Sequence, residues 1–276
     1  MEIEIEKEQL SNELYCQAYE MEAMADLLIR KETERWVSGF ADMIVEKEHS
    51  SRYNWILKYV KNKRVLDIAC GVGKGSYILA KNGEAKEVIG CDLNDRAIKY
   101  ASIRYKHPKI TFVSDDAQKF TNENNFDVIV SFETIEHLPN VDQFLKSIDN
   151  LLSSNGLFFV STPLSSIPHD TNPVNPYHIQ EWDFNEFEKL LSKYFEVDET
   201  YLQLRKDNFS FFPYWKIWIK NKILSFFETK KVSDIKNNYL DKINAMNPVK
   251  FEKKDSILLN NLYGISGYQI FVLKKK

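Results

Sequence analysis

From residue 63 onward the chain alternates short, almost wholly apolar runs with stretches of helical spacing, and this alternation limits the fold more than any other feature. The runs are RVLDIA (64–69), EVIGCDL (87–93), ITFVSD (110–115), FDVIVSFE (126–133) and GLFFVSTP (156–163). They are rich in Val, Ile and Phe and lack polar alternation, as strands covered on both faces do. Between them, SYILAKN, DRAIKYASIRY and VDQFLKSIDNLLSS have crossover length and helical periodicity. This order predicts an α/β fold: a doubly wound, mostly parallel sheet with right-handed crossovers. A helix over 183–195, a strand over 195–204 and a last strand over 266–275, antiparallel to it, bring the expected sheet to seven strands.

Two segments stand outside this pattern. Residues 14–30 place Leu14, Ala18, Met21, Met24 and Leu28 at helical spacing, and a second helix is expected over 44–59, so residues 1–60 are read as an N-terminal helical lid. The core then spans 61–204, an aromatic-rich helical cap is inserted over 205–264, and 265–276 returns to the sheet. Within the cap, FFPYWKIWIKNKILSFF (211–227) interleaves aromatic residues with Lys216, Lys220 and Lys222. Such a segment suits a peripheral membrane contact, a cover over an acceptor pocket or a homodimer surface.

Charge and cysteine content narrow the function classes. With 37 Lys+Arg against 40 Asp+Glu and a formal charge of -3, the chain has no general attraction to phosphate backbones, and no nucleic-acid partner is expected. Cys16, Cys70 and Cys91 form no C-x-x-C pair and read as reduced thiols. The start MEIEIEKEQL has no apolar signal region, and no run of about 18 apolar residues is present to cross a bilayer, so the expected location is the cytoplasm.

The strongest chemical signal is RVLDIACGVGKGS (64–76), a strand entering a loop with Gly71, Gly73 and Gly75 and then a helix. Glycines let backbone approach a ligand closely, and a helix start presents unpaired N–H groups. Asp67 stands just before the loop, where a carboxylate repels a pyrophosphate but pairs with an ammonium. Asp92, ending the second run, is placed for two ribose hydroxyls. Asp116 and Ala117, after the third, are placed for an adenine amino group and ring nitrogen. A dinucleotide fingerprint fits less well: it wants a small third residue at position 76, where Ser76 stands, and gives Asp67 no role.

Ammonium, ribose diol and adenine without phosphate describe S-adenosylmethionine, and over about residues 63–195 the sequence resembles the class I S-adenosylmethionine-dependent methyltransferases. The resemblance implies S-adenosylmethionine as cofactor, with Asp67 and Gly71 near its methionine end, Gly73 and Gly75 in the loop, Asp92 at the ribose, and Asp116 with Ala117 at the adenine. Ala69, Leu93 and Ser131, at the ends of the first, second and fourth strands, complete the expected cofactor set.

The acceptor is expected beyond the carboxyl ends of strands four and five. There SFETIEHLPN brings His137, and STPLSSIPHDTNPVNPYHIQEW brings His169 and His178. A hydroxyl acceptor needs a base; His137 is the first candidate, with His178 and His169 as alternatives. Glu133, Glu136 and His137 also resemble the metal-binding loop of quinone O-methyltransferases. Two carboxylates and one imidazole do not specify an ion, and no metal is expected. The flanks ERWVSGFAD (34–42), EHSSRYNWI (48–56) and NPYHIQEWDFNEFEKLL resemble bacterial methyltransferases of surface-polysaccharide and sugar modification, which makes Trp36, His49, Arg52 and Tyr53 candidates for covering the cofactor. The expected activity is O-methylation of a sugar hydroxyl in a glycan or its precursor. The alternatives are a small phenolic or quinone-type metabolite as acceptor, or a cofactor-binding scaffold without turnover.

Overall fold

The computed structural model describes residues 2–30, 43–165, 167–206, 247–251 and 265–276. The strands are β1 (Arg64–Ile68), β2 (Glu87–Asp92), β3 (Ile110–Ser114), β4 (Phe126–Phe132), β5 (Leu152–Pro163), the short pair β6 (His169–Asp170) and β7 (Glu181–Trp182), β8 (Phe195–Lys206), β9 (Val249–Lys250) and β10 (Ile265–Lys275). The main sheet runs β3-β2-β1-β4-β5-β10-β8-β9. Strands β1 to β5 pair in parallel, and β10 lies antiparallel between β5 and β8. The order reverses between β1 and β4, which opens a crevice at their carboxyl ends.

The unbroken apolar runs form the centre because both of their faces are covered. Ile129 packs with Leu66, Phe158 and Phe271 on one face of the sheet, while Val128 and Val130 pack with Val65, Phe159 and Val272 on the other. The crossovers are α4 (Lys74–Lys81), α5 (Asp95–Arg104) and α6 (Val141–Leu151), and α7 (Phe184–Leu191) precedes β8. Three of these begin on side-chain caps: Asn94, Asn140 and Asp183 accept from the N–H groups of Ala97, Gln143 and Glu186 at 2.9–3.0 Å. Helix α7 is shorter than the expected 183–195, because the chain turns at Ser192 to bury Phe195 at the start of β8.

The expected seven strands gain an eighth. β9 pairs with Tyr201 and Leu202 of β8, inside the segment read as a helical cap. Pro248 offers no helical N–H, and Phe251, 2% exposed, packs on Phe184 while exchanging backbone and hydroxyl bonds with Thr200. The rest of that segment, including 211–227, and Trp36 of the expected lid lie outside the described residues. No helix among the described residues is long and apolar enough to cross a membrane.

The N-terminal helices divide. α1 (Glu2–Arg30) begins well before residue 14 and lies on the flank, where Cys16 and Tyr19 pack on Val72, Ala97 and Tyr100. α2 (Met43–Trp55) and the short α3 (Leu57–Val60) enter the core instead. The buried Arg52 donates from Nη1 to Gln203 Oε1 at 2.6 Å and lies 4.3 Å over the Tyr268 ring. Gln203 Nε2 in turn donates to Glu48 O at 3.1 Å and Ser51 Oγ at 2.7 Å. This network joins α2 to the antiparallel half of the sheet. Gln203→Leu removes the acceptor of a buried guanidinium and both donors to α2, so it should cost about 2 to 4 kcal/mol of stability in urea titrations; an unchanged midpoint would remove the network from the account of the fold.

Candidate active site

The loop between β1 and α4 turns sharply, with Ala69 (φ 62°), Gly71 (φ 56°) and Gly73 (φ 82°) in the left-handed region. The three glycines serve different ends. At Gly71 a Cβ would meet nothing within 4 Å, so its backbone faces open space. At Gly73 a Cβ would strike Phe112 at 2.6 Å, and at Gly75 it would fall 2.1 Å from the Tyr53 ring. Gly73 and Gly75 are therefore required by packing beneath the loop, and they do not line the cavity as the sequence reading implied.

A cavity of about 760 Å³ opens over this loop and continues past the ends of β4 and β5. Ala69, Gly71, Asp92, Leu93, Asp116 and Ala117 line one part of it. Asp92 accepts from Gly71 N at 2.8 Å and from Asn94 N at 2.9 Å, one bond to each oxygen, which leaves a lone pair on each for a diol. Asp116 is held by Gln118, whose backbone N–H keeps the carboxyl below its usual range.

Two expected cofactor residues stand elsewhere. Asp67 is 1% exposed and does not line the cavity: Tyr53 donates to Oδ1 at 2.9 Å and Ser76 to Oδ2 at 2.6 Å. Burial pushes its pKa up to about 6, against the lowering effect of those two hydroxyls. Asp67 therefore ties α2 and α4 to β1 beneath the loop. Ser131, on β4, is fully buried between β1 and β5 and does not line this cavity. Of the covering residues, His49 and Tyr53 line the cavity, whereas Arg52 is sealed behind it. Burial, then Arg52, holds His49 well below its usual range and so neutral.

At the other end the fourth- and fifth-strand loops meet. Glu136 and His137 lie on the single 3-10 turn Ile135–His137. His178 lies on the segment after β5, stitched to that turn by Ile179 N and Gln180 N donating to Glu136 O at 2.9 and 3.3 Å. The His137 and His178 rings are 4.8 Å apart, edge to face. His137 Nδ1 is 3.0 Å from Tyr177 O, and His178 Nδ1 is 2.5 Å from Glu181. His169 is not part of this group: it is exposed, stacks on Trp182 and bonds Gln180.

The two carboxylates differ in their settings. Glu133, at φ 55°, accepts from Ser161 at 2.6 Å and stands in the field of Arg52, yet burial still raises its pKa. Glu136 is fully buried, accepts from Thr162 at 3.0 Å through Oε2, and is pushed well up by burial and by Glu133. The cavity wall also includes Phe132, Asn175 and Tyr268, which the sequence analysis did not single out. Tyr268 comes from the last strand, and the register of β10 against β5, which sets it opposite Pro163, brings it here.

The profile of a family described as a methyltransferase domain matches residues 60–228, more than half of the sequence. The chain belongs to this methyltransferase family. It is 30% identical over 172 residues to the "Probable S-adenosylmethionine-dependent methyltransferase" of Mycolicibacterium smegmatis, covering 60% of this chain and 65% of that protein. It is 33% identical over 107 residues to the ubiquinone biosynthesis O-methyltransferase of Pelagibacter ubique, covering 38% and 44%. The match thus spans less than two thirds of either relative. The crystal structure of the PH0226 protein from Pyrococcus horikoshii OT3 shares the fold, with a TM-score of 0.52 and 17% identity over 85% of this chain and 92% of that one.

The residues present fit S-adenosylmethionine, the cofactor in the name of the Mycolicibacterium smegmatis relative. Gly71 leaves room for close backbone approach, Asp92 keeps acceptor capacity for a diol, and Leu93, Asp116 and Ala117 line the adjoining wall. Asp92→Ala should weaken S-adenosylmethionine binding at least tenfold in calorimetry, since losing an acceptor for two hydroxyls costs about 1 to 3 kcal/mol. Ser131→Ala should leave it unchanged, and equal affinities for wild type and Asp92→Ala would refute the ribose assignment.

Asp67 generates a pH prediction. Its folded-state pKa of about 6 lies above the ordinary 3.8, so the folded state binds the extra proton and this contribution to stability is lost as pH rises from about 4 to above 6. A displacement of that size corresponds to about 3 kcal/mol. Without cofactor, Asp67→Asn should therefore gain stability relative to wild type between pH 4 and pH 7; parallel melting curves across that range would contradict it.

Proposed function

We propose that the protein O-methylates a hydroxyl of a sugar unit in a glycan or glycan precursor. The observation that carries this reading is the convergence of His137, His178, Glu133 and Glu136 on one end of the cavity whose other end holds the cofactor residues. Bound S-adenosylmethionine supplies an electrophilic methyl group on a sulfonium. What the chain must add is a held acceptor and a place for its proton. The imidazoles of His137 and His178 supply the latter, with ring orientations fixed through Nδ1 by Tyr177 and Glu181. Several polar groups side by side, with Phe132 and Tyr268 in the same wall, suit an acceptor that carries hydroxyls around an apolar ring face.

A phenolic acceptor of quinone type is the second reading, favoured by the relative from Pelagibacter ubique that is named for O-methylation in ubiquinone biosynthesis. Incubating the protein with methyl-labelled S-adenosylmethionine and separate panels of nucleotide sugars, glycan fragments and catechols decides between them by mass spectrometry. Label in a sugar supports the first reading, and label only in catechols overturns it. With an accepted substrate, His137→Ala and His178→Ala should each lower turnover by about 10² to 10⁴, with S-adenosylmethionine affinity changed less than threefold. Full turnover in both variants would remove the histidines from the proton's path.

A further inference from the structure

We propose that α1 is a dimer interface, through which two copies of this chain join as a parallel, in-register pair of helices. At 1.5 Å per residue its 29 residues reach about 43 Å. Its buried side chains, Cys16 and Tyr19, lie on one face of its middle turns and pack on Val72, Ala97 and Tyr100. Hydrogen bonds hold the same face to α5: Tyr15 donates to Arg96 O at 3.2 Å, and Tyr100 donates to Glu20 at 2.6 Å.

The side turned away from Cys16 and Tyr19 carries a second apolar stripe. Leu10, Leu14 and Met21 are 62%, 56% and 65% exposed. They fall on alternating steps of three and four residues, and the sequence continues those steps in both directions: Ile3, Lys7, Leu10, Leu14, Gln17, Met21, Met24 and Leu28. Six of these eight positions are apolar. A helix that only covers a globular body needs one broad apolar face, whereas a narrow stripe repeating every seven residues is the seam of a coiled coil. Lys7 and Gln17 within the stripe are exposed as well.

The residues beside the seam select its occupant and direction. One flank carries Glu6, Glu13 and Glu20, and the other carries Ser11, Ala18 and Ala25. In a parallel pair each glutamate meets the small flank of the other copy, so that Glu13 lies beside the partner's Ala18 and no like charges face each other. In an antiparallel pair the glutamate flanks meet and repel. The parallel register also sets Gln17 against the partner's Gln17, where the two amides bond each other; a polar residue in a seam fixes register at some cost in stability. Because Cys16 and Tyr19 point away from the seam, both bodies stand outside the pair, related by a two-fold axis along it.

Sedimentation equilibrium of the untagged full chain at micromolar concentration tests the interface. The expected species is a dimer, and Leu14→Glu and Met21→Glu should each raise its dissociation constant at least tenfold. S-adenosylmethionine affinity, changed less than threefold in each variant, reports a folded body. Direction is read by mild oxidation of Leu10→Cys and Met21→Cys, made singly. A parallel pair links each variant to its own copy, while wild type, whose three cysteines are buried, stays unlinked. These milder variants also decide the matter if a glutamate variant fails to fold. A monomeric wild type, a dimer that survives both glutamate substitutions, or failure of either cysteine variant to cross-link overturns the proposal.

Discussion

The buried carboxylate of Asp67 is the constraint on which the cofactor half of the molecule rests. A charge at the end of a central strand, covered on all sides, is tolerated only with strong donors, and the two it has come from different helices. Ser76 sits on the helix that leaves the glycine loop, and Tyr53 on the helix that approaches from the N-terminus. The ring of Tyr53 then demands a glycine at position 75, and the turn above demands left-handed backbone at 71 and 73. One carboxylate thus fixes the position of two helices and, through them, the shape of the loop.

Backbone strain appears at matching places on the two sides of the topological switch. Ala69, after β1, and Glu133, after β4, both carry side chains in the left-handed region, at a cost of about 1 to 2 kcal/mol each. Both line the cavity, one at its cofactor end and one at its acceptor end. The cost is held in place by neighbouring backbone bonds: Cys70 N donates to Cys91 O, and Glu133 N to Ser161 O. Strand ends that turn this sharply aim their loops across the crevice.

The strands were legible because burial on both faces leaves an unbroken apolar run, and their parallel pairing followed from helical crossovers of ordinary length. Asp92 ends such a run and Asp116 follows one, and both line the cavity. Asp67 and the last two glycines were read as ligand contacts because a sequence does not distinguish close approach to a ligand from close approach to a tyrosine or phenylalanine ring. Ser131 was misplaced for a related reason: the side-chain period of two decides which residue at a strand's end looks outward, and no local pattern marks it in a strand apolar on both faces along most of its length. His178 and Tyr268 needed tertiary information, since their positions depend on how a long loop folds back and on the register of the last strand.

The hairpin formed by β8 and β10 sets Lys206 opposite Ile265. The long segment between them therefore leaves the sheet and returns to it at adjacent positions, a short step from Tyr268 in the cavity wall. The entropy of closing such a loop grows only with the logarithm of its length, by about 0.6 kcal/mol per doubling. In proteins built on this frame the connection between these two strands can therefore change in length at little entropic cost to the sheet.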